Sequence, residues 1–200
     1  PHDITGLAEL MGGKEMAVKK LDEQFKTAAK YGFTSGDAHD KELHPEYRRI
    51  PINYGNQPSI QTAQIFNQLE RPDLAQYWTR RVVETAFSGL SPATGFNGDE
   101  DQGLMGSLSV LMKIGLFQMN GGTEEDPEYQ IGSPIFDKVT IHLEEGKKMV
   151  FNAPGASAGK QYIHGLKLNG RTIQNNFLNH FDLVQGGILD FEMGDSPLKK

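Results

Sequence analysis

Cysteine is absent from the 200-residue sequence, which excludes disulfides and thiolate metal sites but leaves the redox compartment undecided, since secreted enzymes can also lack it. No apolar run approaches the roughly 20 residues that a membrane-spanning helix needs. Basic blocks are missing too. With a net charge of -6 and a pI near 5.5, the chain has no electrostatic footprint for nucleic acid or an anionic membrane surface. Neutral or cationic partners fit better. The sequence opens at Pro1 rather than at a start methionine, and "PHDITGL" carries neither the basic nor the apolar region of a signal peptide. The chain therefore reads as a piece of a longer polypeptide, the alternative being a mature protein trimmed at its N-terminus.

Several chemistries are missing as well. The six histidines show neither HExxH nor another metal spacing, and no serine sits in a G-x-S-x-G elbow. Zinc hydrolase and serine hydrolase readings drop out. The glycine loops of P-loop and Rossmann proteins are also absent, which disfavours nucleotide chemistry. There is no internal repeat and no low-complexity tract.

What is present falls into two halves of different period. A hydrophobic content of 37% is ordinary for a globular chain of this length, enough for one sizeable core or two modest ones. Up to about residue 118 the spacing is helical, and Ala17, Val18, Leu21, Phe25 and Ala28 share one face after Gly12 and Gly13. A second helix is expected from Ser59 as N-cap, carrying Ile60, Ala63, Ile65, Phe66 and Leu69 until Pro72 breaks it. A third follows with Leu74, Tyr77, Trp78, Val82 and Thr85, and "GLMGSLSVLMKIGLF" makes a fourth. The segment "YGFTSGDAHDKELHPEYRRIPINYGNQP" between the first two is a long loop, of the kind that is often functional. Four helices on such long connections do not make a closed bundle, so further helices are expected upstream.

After "NGGTEEDPE" come short β-prone runs, "KVTIHL", "KMVFNA", "QYIHGLKLN", "RTIQNNFL" and "GILDFEM". Asn169-Gly170 sits between two of them and supplies the positive φ angles of a type I′ hairpin. The alternation of Phe136, Phe151, Tyr162 and Phe191 with polar neighbours marks them as core, which favours a supporting β domain over an independent carbohydrate-binding module.

Two polar clusters could carry chemistry. "FNGDEDQGLMG" sets Asp99, Glu100 and Asp101 between Gly98 and Gly103, immediately before a helix starting near Gln102 or Gly103. Asp99 and Asp101, two apart, can converge on one point while Glu100 points elsewhere. The helix N-terminus keeps nearby carboxylates ionised, as a general base must be. Ordinary helix capping explains the same pattern, and so does cation binding, although the EF-hand spacing is not met. In "NYGNQPS", Asn56 and Gln57 offer neutral carbonyl oxygens suited to sugar hydroxyls or calcium, whereas Gly55 and Pro58 setting a turn, with Asn56 and Ser59 capping a helix, is the bland reading. Trp78 and Tyr77 could stack on a sugar but fit a core at helical spacing.

Four ordered blocks, "PHDITGLAELMGGKEMAVKKLDEQF", "YGNQPS", "GFNGDEDQGLMGSLSVLMKIGLF" and "YQIGSPIFDKVTIHLEEGKKM", resemble the C-terminal part of glycoside hydrolase family 92, the calcium-dependent inverting exo-α-mannosidases. The resemblance implies a multi-domain α and β protein, with residues 1–122 as the last part of an (α/α)6 catalytic barrel and 123–200 as a small C-terminal antiparallel β domain. It implies Asp101 as the base that activates water, Asp99 beside it as a helper, and Glu100 as structural. The family's general acid is a glutamate shortly upstream of the "PHD" motif at which this chain begins, so the 200 residues alone are expected to be inactive. Calcium is the implied cofactor, with Asn56 and Gln57 as candidate ligands and Asn53, Asn56 and Gln57 as candidate substrate contacts. Two departures stand out. Gln57 occupies a position where glutamate is common, and Ile60-Gln61 and Ile52-Asn53 replace polar pairs found in many members, so no linkage is assigned. The implied partners are a mannose-containing glycan and the missing N-terminal part of the same polypeptide, in a secreted or periplasmic setting. A non-catalytic carbohydrate-binding or scaffold relative with the same fold is the alternative.

Overall fold

The structure is a computed structural model that describes residues 3–34, 50–92, 94–95 and 100–198. It divides into two compact units, Pro1–Val110 and Leu111–Lys200, the division falling inside the helix Leu104–Ile114.

The first unit is helical. A short helix, Ile4–Leu10, precedes the expected one; Asp3 caps it by accepting the Gly6 N–H at 2.7 Å. The amphipathic helix Lys14–Ala29 starts directly after Gly13 and buries Ala17, Val18, Phe25 and Ala28. Pro72 both ends the preceding segment and opens the helix Pro72–Thr85, because at the first helical position its missing N–H is no loss. Phe25 stacks on Trp78, ring centroids 5.1 Å apart, and Phe33 and Phe66 close around Phe25. Trp78 is thus a core residue, its indole N–H donating to Asp22 at 2.9 Å.

The helix expected from Ser59 to Pro72 does not form as one element. In its place are two 3₁₀ turns, Gln57–Ser59 and Thr62–Gln64, followed by one α turn, Ile65–Gln68. The spacing of Ala63 and Phe66 serves both geometries, and both side chains are buried. Ser59 does not cap a helix. Its hydroxyl accepts the backbone N–H of Asn53 at 3.0 Å, folding the chain back on itself.

The second unit holds two sheets. In the first, β1 (Leu116–Phe117), β2 (Glu128–Ile131) and β7 (Phe177–Asn179) pair antiparallel in the order β1-β2-β7. The second comprises β3 (Lys138–His142), β4 (Lys148–Asn152), β5 (Tyr162–Leu168), β6 (Arg171–Ile173) and β8 (Gly187–Gly194), in the order β3-β4-β8-β5-β6. Every pairing is antiparallel except β4 with β8, where the last strand inserts beside β4 in parallel register, Met149 against Gly187. A parallel pair needs a long crossover, and everything from β5 through the helix His180–Gln185 supplies it. Asn169 and Gly170 have φ of 50° and 80° and close the expected two-residue hairpin between β5 and β6. The core gathers Ile131, Met149, Phe151, Leu178, Leu189 and Phe191. Phe136, expected among them, is instead exposed, for it precedes β3 and lies outside the alternating strand.

Candidate active site

The loop at residues 53–59 is shaped by its own polar groups. Asn53 Oδ1 accepts the Gly55 N–H at 3.0 Å, its carbonyl accepts the Asn56 N–H at 3.2 Å, and its N–H reaches Ser59. This is the self-bonded turn that asparagine favours. Tyr54 fastens the loop to the core: its ring is fully buried, its N–H donates to the Phe33 carbonyl at 2.7 Å, and its hydroxyl accepts the Ala63 N–H at 3.0 Å. Burial pushes the Tyr54 phenol well above its usual range, so it stays a neutral anchor. Gln57 therefore leaves a secured loop at an exposed position, while Asn56 is half-buried, in extended backbone, and makes no side-chain capping bond.

The acidic loop is built differently. Glu100 Oε1 accepts the Gly106 N–H at 3.0 Å, taking one of the unpaired donors in the first turn of Leu104–Ile114. Capping and a free carboxylate thus coexist in this motif, divided between neighbours. Asp101, Gln102 and Gly103 follow with φ of 51°, 59° and 94°, three consecutive residues in the left-handed region. Glycine enters it freely, aspartate is tolerated there, and glutamine is strained. Such strain is held at a cost of order 1–3 kcal/mol per residue and gathers at functional sites. Here it swings Asp101 away from the helix end that Glu100 has filled.

The two loops meet. Gln57 donates its side-chain Nε2–H to Asp101 Oδ2, joining positions 44 apart in sequence. Of the residues singled out from the sequence, the structure thus brings Gln57 and Asp101 together, puts Asn53 in the turn that presents Gln57, and leaves Asn56 beside it in the chain. Asp99 lies outside the described residues. Sequence reading missed Tyr54 as the anchor and the Gln57 to Asp101 bond. The alternation of Ile52 and Tyr54 could have pointed to the first, since both are buried; no local signal announces the second.

The available donors are all oxygens, from the amides of Asn56 and Gln57 and the carboxylate of Asp101, which suits a hard cation such as calcium rather than a soft metal. Among the described residues no group of three or more His, Cys, Asp or Glu side chains could hold a metal. Asn56 and Gln57 could each offer one amide oxygen to such a cation.

Comparison with known proteins identifies the family. Residues 1–195 match the glycosyl hydrolase family 92 catalytic domain. An uncharacterized secreted glycosidase of Arthroderma benhamiae is 27% identical over 197 residues, 97% of this chain and 22% of that protein. Two solved structures from Bacteroides thetaiotaomicron superpose with a TM-score of 0.76 each. One, a family GH92 α-mannosidase in complex with mannoimidazole, is 28% identical, covering 93% of this chain and 23% of its own. The other, a family GH92 inverting mannosidase, is 32% identical, covering 98% and 26%. The chain thus spans about a quarter of the length of these relatives. With the match running from the first residues through the acidic loop to the last strand, the chain belongs to glycoside hydrolase family 92.

Proposed function

We propose that this chain is the C-terminal part of the catalytic region of an inverting α-mannosidase that removes terminal α-mannosyl residues from glycans, with Asp101 as general base. In this reading residues 1–122 belong to an (α/α)6 barrel and 123–200 form its C-terminal β domain. The observation that carries it is the placement of Asp101: its neighbour Glu100 caps the helix, a left-handed turn lifts Asp101 clear, and Gln57 donates to it.

Asp101 would take a proton from a water molecule as that water attacks the anomeric carbon from the face opposite the leaving oxygen. The leaving oxygen would receive its proton from a carboxylic acid, which this reading assigns to sequence upstream of Pro1. In a single displacement the two carboxyl groups stand roughly 6.5–9.5 Å apart, leaving room for the water. Asp99 would help hold that water. Asn53, Asn56 and Gln57 would contact the sugar, with the carbonyls of Asn56 and Gln57 among the calcium ligands. Calcium, when bound, would supply positive charge at the mannose hydroxyls and favour the distorted ring. The name of the Arthroderma relative supports a secreted or periplasmic setting.

The full-length polypeptide, assayed on mannobioses of each linkage with and without a chelator and followed by NMR, should release β-mannose as the first product. Release of α-mannose would contradict the single-displacement reading. Gln57 and Ile60, which depart from the common family residues, favour the alternative of a non-catalytic carbohydrate-binding relative. Absence of a glutamate at the acid position upstream of Pro1 would decide for that alternative.

A further inference from the structure

We infer that Gln57 is the positioning residue of the base, fixing the rotation of the Asp101 carboxylate by donating to Oδ2 and so leaving Oδ1 to face the reacting water. This rests on the reading of Asp101 as general base and assigns Gln57 a role beyond that of a calcium or sugar ligand.

An ionised carboxylate only accepts hydrogen bonds, so the amide must turn its N–H toward Asp101 and its Oε1 away. Among the described residues, the side-chain donor given to Asp101 is that of Gln57. Both ends of the bond are held in place by backbone. The Gln57 carbonyl accepts the Ile60 N–H at 3.1 Å within its 3₁₀ turn, on the loop that Tyr54 anchors. The Asp101 carbonyl accepts the Leu104 N–H at 3.2 Å across the left-handed turn. Two backbone-held supports joined by one bond restrict the direction of the second oxygen, which is what proton transfer in a near-attack geometry requires. A glutamate at position 57 would instead put two carboxylates in contact, and only a proton or a cation between them would hold the same arrangement. The glutamine supplies the donor itself.

The test uses the full-length polypeptide carrying Gln57→Met, which keeps the length of the side chain and removes the donor. Because Gln57 is exposed, circular dichroism of the variant should match that of the parent. Its kcat at saturating substrate and calcium should fall about 10- to 100-fold, the scale of a misplaced catalytic group, whereas loss of the Gln57 carbonyl as a calcium or sugar ligand would show in KM and in the calorimetric calcium affinity instead. In an Asp101→Asn background the same substitution should have no further effect on the residual rate, since it acts through Asp101. A kcat within about 2-fold of the parent, while Asp101→Asn is slow, would overturn the inference and leave the base assignment standing. So would independent multiplication of the two defects in the double variant, or a calcium affinity weakened about 10-fold or more with kcat restored by excess calcium. A full rate for Asp101→Asn alone would remove the base assignment, and this inference with it.

Discussion

Glu100 and Asp101 are adjacent in sequence yet face different partners, because the turn into the left-handed region begins between them. Glu100 accepts a first-turn N–H, where a negative charge is favoured by the helix dipole. Glu100→Ala should cost about 1 kcal/mol, the usual worth of a lost cap, read as a lower urea midpoint. Asp137 shows a second use of a carboxylate. Its Oδ1 accepts the N–H groups of Gly155 and Ser157, at 2.9 and 3.1 Å, and its Oδ2 the Ser157 hydroxyl at 2.5 Å. The Ser157 hydroxyl, then the backbone donors, hold its carboxyl below the usual aspartate range. A carboxyl depressed in the folded state adds stability at pH values above its unfolded pKa and loses it as pH falls through the folded one. Asp137→Asn should therefore lower the Tm at neutral pH, and its difference from the parent should shrink as pH falls below about 4; a difference independent of pH would contradict this. The Arg71 and Asp73 pair behaves similarly. Burial, the largest single influence, would raise Asp73, but the two guanidinium bonds, at 2.8 and 2.6 Å, together with the Arg71 charge and the backbone N–H groups of Asp73 and Leu74, outweigh it and lower the carboxyl.

At the scale of elements, local chemistry was legible and long-range pairing was not. The β5 to β6 turn follows from Asn169-Gly170 alone, and the start of Pro72–Thr85 from its proline. Nothing within 4 Å would meet a Cβ on Gly170, so Gly170→Ala isolates the conformational cost of φ 80°. It should destabilise the second unit by about 1–2 kcal/mol with an unchanged denaturant slope, whereas a neutral effect would contradict the hairpin geometry. The segment after Ser59 was misjudged because one apolar spacing serves a helix and a run of 3₁₀ turns alike, and the Asn53 backbone won the Ser59 hydroxyl. The parallel β4 to β8 pair could not be read locally, since strands show the same alternation whichever neighbour they take. In the candidate site, the place of the acidic loop before a helix was legible from residue type, whereas the division between Glu100 and Asp101 was implied only by the family resemblance. The bond from Gln57 was not, for it depends on how a 44-residue separation closes.

For the molecule as a whole, the chain covers about a quarter of the family members to which it is similar, and the proposed reaction divides across that limit. In the proposed reading the base and its support would lie within these 200 residues and the acid outside them. The chain alone should show no mannoside hydrolysis, and measurable cleavage by it would contradict the division. The central claim is that Asp101 takes the proton from the attacking water. Its most direct measurement is the kcat of full-length Asp101→Asn on the best mannobiose, with circular dichroism to establish folding. A loss of about 10²- to 10⁴-fold, the usual contribution of a general base, is the predicted result, and a folded Asp101→Asn enzyme turning over at the parent rate would contradict it.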